Sequence, residues 1–357
     1  MRIRARNVNQ AFNQVVGVFD DPALRIVKVI SETSSRNGPV LVVNEPVTVT
    51  YERPRERVLF NTVRDCNPFF HLFESLWMLA GRNDVAALDL YNSGMKSYSD
   101  DGETFNGAYG YRWRHAKVAD VHNLNVDPLQ DQLSILITHL KQNPDSRRAV
   151  LQMWNVEDDL LKIDDQHEMF AKDVCCNLSV TFLIRDGLLD MTVFNRSNDA
   201  IWGMLGANVV HFSFLQEYVA CSLGIEVGRY HQISSNLHVY TENNSGFTPN
   251  TWMEPHVNID YYLNDLGPSP VPLVENQERF DRELAEFVDN TDWSRRWSEP
   301  FLDVVAAPIC WAWQLHKRRD YSGAQAALDT CEALDWQLAC RNWLLKREAN
   351  WKNKGGT

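Results

Sequence analysis

Two stretches with the character of strands, 177–185 and 188–195, flank the dipeptide Asp186-Gly187, and in the first of them Leu178, Val180, Phe182 and Ile184 alternate on one face. Such a dipeptide between two predicted strands is a strong signal of a β-hairpin, because its residues tolerate the left-handed backbone of a two-residue turn. The apolar stretch 208–223 is long enough for a helix and is followed by a glycine, which is typical of a helix cap. The centre of the chain is therefore predicted to be an α+β fold with some antiparallel strand pairing.

Hydrophobic periodicity predicts further elements on both sides of this hairpin. The additional helices are expected at residues 10–19, 69–81, 128–140, 276–289, 301–319 and 324–346, and the additional strands at 40–43, 47–58 and 148–155. In the helix at 69–81 a single carboxylate, Glu74, stands among aromatic and aliphatic residues. A carboxylate in such surroundings requires a partner or a function.

The character of the chain changes near residue 245, where loops rich in Pro and Asn precede helical stretches. We therefore predict an α+β unit over 1–245 and a mainly helical extension over 246–357 that packs on it. Eight of the twelve tryptophans lie in this last third: Trp252, Trp293, Trp297, Trp311, Trp313, Trp336, Trp343 and Trp351. Aromatic residues at helical spacing in an acidic protein are more often packing anchors than platforms for bases.

Composition argues against several functions. The chain has 35 Lys and Arg against 47 Asp and Glu, a net charge of −12, and nucleic-acid backbones are bound chiefly by Lys and Arg. Since no apolar run is long enough for a transmembrane helix or a signal peptide, we expect no membrane association and a cytoplasmic location. The seven cysteines and ten histidines lack paired spacings, which favours a reduced compartment and no metal.

Candidate chemical groups surround the predicted hairpin. Cys175 and Cys176 stand directly before its first strand, and Arg196 follows its second strand. Three more arginines occur in or after turns, namely Arg36, Arg147 and Arg148. Each has an ordinary interpretation, as a small buried side chain or a solvated charge. If the strands bring several together, however, the arginines would clamp a phosphate and activate a nearby thiol, which suggests nucleotide chemistry.

The order and spacing of the motifs resemble those of thymidylate synthases and the related pyrimidine-nucleotide hydroxymethylases. The motifs are Ser146-Arg147-Arg148, Trp154-Asn155, Cys176, Asp186-Gly187, Arg196-Ser197, Asp199, Asn208 and His238-Val239-Tyr240. Cys176 and Arg196 are twenty residues apart, and Asn208 and His238 are thirty apart, as in the family. The likeness covers roughly residues 10–245, so many motifs occur in one order, which is more specific than any single motif.

The resemblance implies a thymidylate synthase-like catalytic domain over 1–245, with a mixed sheet and packed helices, and a homodimer. The implied substrate-binding residues are Arg36, Arg147, Arg148, Arg196, Ser197, Asn208, His238 and Tyr240, with Arg147 and Arg148 reaching from the partner. The implied catalytic residues are Cys176, Glu74, Tyr109 and Asn208, and the implied folate-binding residues are Asp199, Gly203, Met95 and Tyr98. The implied ligands are a pyrimidine nucleoside monophosphate and 5,10-methylenetetrahydrofolate.

Elementary chemistry agrees with these roles. C5 of uracil is a poor nucleophile, but addition of the Cys176 thiolate at C6 creates an enolate that can attack the folate methylene carbon. The Asn208 amide can donate to O4 and accept from N3–H, which fits uracil, whereas an Asp would favour cytosine. Burial of Glu74 among apolar neighbours would suit a general acid, although a satisfied helix carboxylate is the ordinary interpretation.

The fate of the exocyclic methylene decides the product, because hydride from the folate gives thymidylate whereas water gives the 5-hydroxymethyl nucleotide. Synthases exclude water with bulky tryptophans and an apolar tail. Met95 and Tyr98 occupy the positions of those tryptophans, and the tail 350–357 is polar. We therefore predict hydroxymethylation of dUMP, of the kind used for modified pyrimidines in phage DNA. The alternatives are a thymidylate synthase, a hydroxymethylase of dCMP or CMP, and a non-catalytic nucleotide- or RNA-binding relative.

Three departures from the family pattern affect the site. Cys175 could be mistaken for the nucleophile, but the distance along the chain to Arg196 selects Cys176. One extra residue lies within 200–207, where synthases contact base and folate. The Gly-Gly-Asp before the sugar-binding histidine is Ser-Ser-Asn at 234–236, which leaves the choice between ribose and deoxyribose open.

Overall fold

The computed structural model describes residues 1–35, 37–117, 129–160, 171–242, 252–264 and 266–355. The strands are β1 Arg2–Ala5, β2 Ile30–Ser35, β3 Gly38–Val43, β4 Val47–Tyr51, β5 Ala116–Lys117, β6 Leu129–Gln130, β7 Val150–Gln152, β8 Asn177–Arg185, β9 Leu188–Asn195, β10 Asn198–Asp199, β11 Glu226–Ser234 and β12 Leu237–Tyr240. The helices are α1 Val8–Asp20, α2 Pro22–Ile26, α3 Pro68–Leu79, α4 Val85–Asp89, α5 Tyr109–Arg114, α6 Gln132–Gln142, α7 Asn208–Leu223, α8 Gln277–Phe287, α9 Ala307–Lys317, α10 Tyr321–Leu328 and α11 Leu334–Asn353.

A six-stranded mixed sheet, in the order β1-β4-β11-β9-β8-β7, forms the centre of the molecule. The predicted hairpin is confirmed, because β8 and β9 pair antiparallel and the turn residues Asp186 and Gly187 have φ angles of 53° and 77°. On its other edge β9 pairs parallel with β11. A second sheet, β10-β12-β3-β2, adjoins this layer. The predicted α+β class is therefore confirmed.

Helix α7 is the central packing element. Its residues 208–220 are all buried, which explains the uniformly apolar sequence that predicted this helix. On α7, Phe214 lies edge-on to both Phe301 and Trp336, with ring centroids 6.0 Å apart in each case. Phe69 of α3 packs against two tryptophans of the C-terminal helices, tilted relative to Trp313 and edge-on to Trp343. The core therefore runs without interruption from the sheet into the last third of the chain.

The tryptophans of the last third are packing residues, as predicted. Five of them are buried and the other three, Trp293, Trp311 and Trp351, are partly buried. Trp351 contacts the Tyr321 ring, with centroids 5.8 Å apart. The last turn of α11 is thus packed against α10. The division at residue 245 stays a prediction.

Several predicted boundaries are wrong. The strand predicted over 47–58 ends at Tyr51, because Pro54 lacks an N–H for a ladder. The helix predicted over 324–346 is two helices, α10 and α11, and the second continues to Asn353. Side chains satisfy the carbonyls at this break, since Thr330 Oγ1 donates to the Ala327 carbonyl at 2.8 Å and Gln337 Nε2 to the Leu328 carbonyl at 2.7 Å.

Two further predicted elements are shorter than expected. The helix predicted over 128–140 begins at Gln132, because the Asp131 side chain accepts from the Ser134 N–H and caps it there; residue 128 lies outside the described residues. The strand predicted over 148–155 is limited to β7. Within the described residues, no helix has both the length and the apolar character needed to cross a bilayer.

The approach of α5 to α3 depends on Gly110. A Cβ at this position would lie 1.9 Å from the carbonyl oxygen of Met78 and 2.4 Å from its Cα. Because backbone cannot move aside as a side chain can, we expect Gly110→Ala to lower the free energy of unfolding by about 3 kcal/mol or more. Urea denaturation followed by circular dichroism measures the loss.

The matched control is Gly267→Ala, where an added Cβ meets nothing within 4 Å. We expect its denaturation midpoint to stay at that of the unaltered protein. Equal midpoints for the two variants would contradict the close backbone approach that places the site residues of α3 and α5.

Candidate active site

A cavity of about 260 Å³ opens between α3, α5 and α7. Five residues predicted for the site line it although they are far apart in sequence: Glu74, Met95, Tyr98, Tyr109 and Asn208. Glu74 is carried by α3, Tyr109 begins α5 and Asn208 begins α7. The packing of three helices thus assembles groups that no local pattern could connect.

Glu74 lies beside a histidine that sequence analysis missed. Its Oε2 is 2.9 Å from Nε2 of His211, and the two side chains are 12% and 5% exposed. The atoms are at ion-pair distance without the alignment of a hydrogen bond. His211 follows Asn208 by three positions on α7, which puts both on one helix face. That spacing is the signal that could have revealed it.

A second histidine, His71, lies one turn before Glu74 on α3. Its ring lies edge-on to that of His211, with centroids 6.4 Å apart. Burial, assisted by the neighbouring His211 and Arg64, lowers the pKa of His71 well below its ordinary value. His71 is therefore uncharged at neutral pH.

The Asn208 amide is oriented by a chain of polar side chains. Its Nδ2 donates to Oδ1 of Asn198 at 3.1 Å, and Nδ2 of Asn198 donates to Oγ of Ser234 at 3.1 Å. Gly203 closes over this pair, because a Cβ there would lie 2.5 Å from Asn198 Oδ1 and 3.0 Å from Asn208 Nδ2. Sequence analysis missed Asn198, which limits the rotation of the predicted base-binding amide.

The hairpin register brings Cys176 and Arg196 together. Asn177 of β8 pairs with Asn195 of β9, so the residues just outside this pair become neighbours. The Arg196 N–H donates to the Cys176 carbonyl at 3.0 Å, and its Nη2 lies 3.7 Å from the Cys176 sulfur. The guanidinium also lies over the Trp154 ring, 5.6 Å from its centroid. Cys176 and Arg196, twenty residues apart in sequence, are thus in contact in the structure.

Cys175 is in different surroundings. Its side chain is 1% exposed, and burial raises the pKa of its thiol far above the ordinary value. Its N–H donates to the Asp159 carboxylate at 3.1 Å. Cys176 is only partly buried. The geometry favours Cys176 as the reactive thiol, as the sequence did.

Tyr109 connects the cavity to the two cysteines. Burial raises the pKa of Tyr109 well above its ordinary value, and the neighbouring Cys176 and Cys175 raise it further. Its hydroxyl therefore stays protonated and can act as a hydrogen-bond donor at neutral pH.

The predicted sugar residues His238 and Tyr240 share the second sheet with Asp199, one of the predicted folate residues. Asp199 of β10 pairs with His238 of β12 in parallel register. Burial lowers the pKa of His238, and its Nδ1 is 2.8 Å from Oδ1 of Asn236. Because an amide oxygen only accepts, Nδ1 carries the hydrogen and Nε2 can accept one from a hydroxyl. The Tyr240 ring lies edge-on to His238, 5.2 Å between centroids.

The remaining arginines are not assembled with Cys176 in this chain. Arg147 and Arg148 are exposed before β7, and neither is among the described residues that line the cavity. Arg36 lies outside the described residues. Ser197 directly follows Arg196 in the turn after β9. No group of three or more His, Cys, Asp or Glu within the described ranges is arranged to hold a metal.

The chain is similar to known proteins over most of its length. The family model for thymidylate synthase matches residues 22–261. A deoxyuridylate hydroxymethyltransferase of Pseudomonas phage M6 is 42% identical over 358 aligned residues, which cover 97% of this chain and 94% of that protein. One of Bacillus phage SP01 is 44% identical over 198 residues, covering 56% of this chain and 50% of that protein. The chain belongs to the thymidylate synthase family.

The Asp199 carboxylate allows a test of how burial of a charge at the site affects the free energy of unfolding. Its Oδ1 accepts from the N–H groups of Ile201 and Trp202 at 2.7 and 3.2 Å, and burial nevertheless raises its pKa to about 6. An Asn would keep the capping oxygen and remove the charge. We expect Asp199→Asn to increase the free energy of unfolding by up to about 2 kcal/mol above pH 7.

The sign follows from proton linkage. The folded protein retains a proton on Asp199 that the unfolded chain has already lost, so stability falls as pH rises towards 6. The gain from Asp199→Asn should therefore grow between about pH 4 and pH 6 and level off above it. Urea denaturation across this range measures it, and a gain independent of pH would contradict the assignment.

Proposed function

We propose that this chain is a folate-dependent transferase that places a hydroxymethyl group on C5 of dUMP. Its relative named deoxyuridylate hydroxymethyltransferase, 42% identical over 97% of the chain, supports the proposal. The observation that carries it is the open side of the cavity, where Met95 and Tyr98 form a short turn and Tyr98 is 61% exposed. A one-carbon unit held in this cavity would meet water.

The cavity fits 5,10-methylenetetrahydrofolate as the one-carbon donor. Glu74 Oε2 and His211 Nε2 are buried in its wall without an aligned hydrogen bond among the described residues, so the wall offers polar atoms to a ligand. The folate, when bound, supplies a carbon at the oxidation level of formaldehyde. The residues proposed to hold it are Asp199, Gly203, Met95 and Tyr98.

Cys176 is the proposed nucleophile. Its thiolate would add to C6 of the pyrimidine and move electron density to C5 and O4. Arg196, 3.7 Å from the sulfur, favours the ionised thiol. The Asn208 amide, oriented by Asn198, would bind O4 and N3–H and so select uracil. Loss of the thiolate from C6 after one-carbon transfer restores the aromatic ring.

The other proposed binding roles are those that the family resemblance implies. The proposed phosphate ligands are Arg36, Arg147, Arg148, Arg196 and Ser197. His238 and Tyr240, neighbours on β12, would bind the sugar hydroxyl. Tyr109 would donate a hydrogen bond in the proton network of Glu74.

Reductive methylation to thymidylate is the second candidate, because the thymidylate synthase family model matches residues 22–261. An enzyme that catalyses this reaction would keep water away from the one-carbon unit until hydride is transferred to it. The end of the chain does not provide such a seal in the described part, since Trp351 packs on Tyr321 and no residue after 211 lines the cavity.

Product analysis tests the proposal. With dUMP and methylenetetrahydrofolate, we expect a nucleotide heavier than dUMP by CH₂O, detected by mass spectrometry, and no rise in dihydrofolate absorbance. Cys176→Ser should abolish turnover, because an alcohol is barely ionised, while dUMP binding persists. Cys175→Ser is the matched control and should remain active. A product heavier by CH₂ together with dihydrofolate would contradict hydroxymethylation.

We also propose a homodimer in which Arg147 and Arg148 complete the partner's phosphate site. Both arginine side chains are exposed in the single chain. This supports the arrangement, because exposed arginines are available to reach across a two-fold interface into the partner's site. The double variant Arg147→Ala/Arg148→Ala and the variant Cys176→Ser should each be inactive alone.

Mixing the two variants under conditions of subunit exchange should restore about a quarter of the normal activity, because half of the dimers are mixed and each has one intact site. Steady-state rates after mixing measure this recovery. Continued inactivity, with exchange demonstrated by mass spectrometry of differently tagged chains, would contradict shared sites.

The two phage relatives support a further role. We propose that the product is a precursor of modified pyrimidine in phage DNA, and that the enzyme acts on free nucleotides in the host cytoplasm. The net charge of −12 supports free nucleotides over nucleic acid as its substrate.

A further inference from the structure

The His211–Glu74 pair is the feature that the proposed roles leave unexplained. Nε2 of His211 and Oε2 of Glu74 are 2.9 Å apart in a wall where both side chains are nearly buried. An imidazole nitrogen that carries a hydrogen can interact with a carboxylate oxygen at this distance. His211 is therefore placed to hold the Glu74 carboxylate in one orientation.

From this geometry we infer that His211 is a positioning residue that prepares Glu74 to take a proton from the water that captures the one-carbon unit. The inference rests on the proposed hydroxymethyltransferase function. Because Oε2 faces His211, the second carboxylate oxygen of Glu74, Oε1, is the atom that would take the water proton.

The position of the pair in the cavity agrees with this role. Asn208, proposed to bind the O4 edge of the base, lies one turn before His211 on α7, and both line the cavity with Glu74. Met95 and Tyr98 lie in the wall of the same cavity, and Tyr98 is largely exposed. Water entering beside Tyr98 would therefore meet a base close to the ring carbon that bears the methylene.

The water step balances as follows. The water oxygen forms a bond to the exocyclic carbon, and one water proton moves to Oε1 of Glu74. The electron pair of the exocyclic double bond moves through C5 to O4. That enolate then forms the C5–C6 double bond as the C6–sulfur bond breaks, and Cys176 leaves as a thiolate. No oxidant or reductant is required.

An added thiol separates a chemical role from a structural one. A small thiolate such as that of 2-mercaptoethanol already carries its charge and can capture the same exocyclic carbon without a protein base. We expect His211→Gln, whose amide can still donate to Glu74 but cannot exchange its proton, to slow formation of the hydroxymethyl product at least about tenfold. Capture of the same carbon by the thiol should be slowed less than capture by water. The ratio of the thioether product to the hydroxymethyl product should therefore rise.

Matched variants complete the experiment. His316→Gln removes another buried histidine, 7% exposed on α9, and should leave the product ratio unchanged. Glu74→Gln/His211→Gln should be no slower in water capture than Glu74→Gln alone, because His211 acts through Glu74. Binding of dUMP, measured by calorimetry, reports whether each variant keeps a folded site.

The outcomes are distinguishable from failure of the proposed function. If the unaltered enzyme makes thymidylate, the proposed function fails whatever the variants do. If it makes the hydroxymethyl nucleotide, an equal slowing of alcohol and thioether formation in His211→Gln would overturn the inference. Additive losses in the double variant would also overturn it.

Discussion

The antiparallel register of β8 and β9 is the constraint on which the site depends. Asn177 faces Asn195, and their side chains are hydrogen-bonded to each other. This pairing sets Cys176 against Arg196 at the end of the hairpin. A slip of one residue would reverse every side chain between the two faces of the sheet. Since Val180 and Val193, a facing pair, are fully buried, the core itself prevents that slip.

The second half of the site depends on helix packing. Helices α3 and α7 each present polar groups, Glu74 on one and Asn208 and His211 on the other, from otherwise apolar surfaces. Buried polar groups lower stability unless they are paired. Asn208 is hydrogen-bonded to Asn198, and the facing atoms of Glu74 and His211 are 2.9 Å apart, so the polar groups of the two helices lie together in the cavity wall. The C-terminal helices support this wall from outside through Trp313 and Trp343 against Phe69.

The last third of the chain is therefore coupled to the rest through packing. Removing the helical extension would expose the apolar side of α3, which carries Glu74, and of α7, where Phe214 contacts Trp336. The tryptophan-rich region has no visible chemistry of its own in the described residues, but it holds the cavity wall in position. This explains why aromatic residues accumulate in a part of the chain outside the catalytic motifs.

The sequence by itself determined the elements with strong local signals: the hairpin at Asp186-Gly187, the buried helix α7, and the spacing that joins Cys176 to Arg196. Five of the predicted site residues, Glu74, Met95, Tyr98, Tyr109 and Asn208, line the cavity, and the roles of the predicted residues stay predictions. Only the tertiary structure decided the partners of those residues. His211 beside Glu74 and Asn198 beside Asn208 result from the packing of helices and the pairing of strands, and both are contacts between elements that periodicity cannot register. The break between α10 and α11 was not predicted for a similar reason. It contains no proline or glycine, and the side chains of Thr330 and Gln337 satisfy its carbonyls.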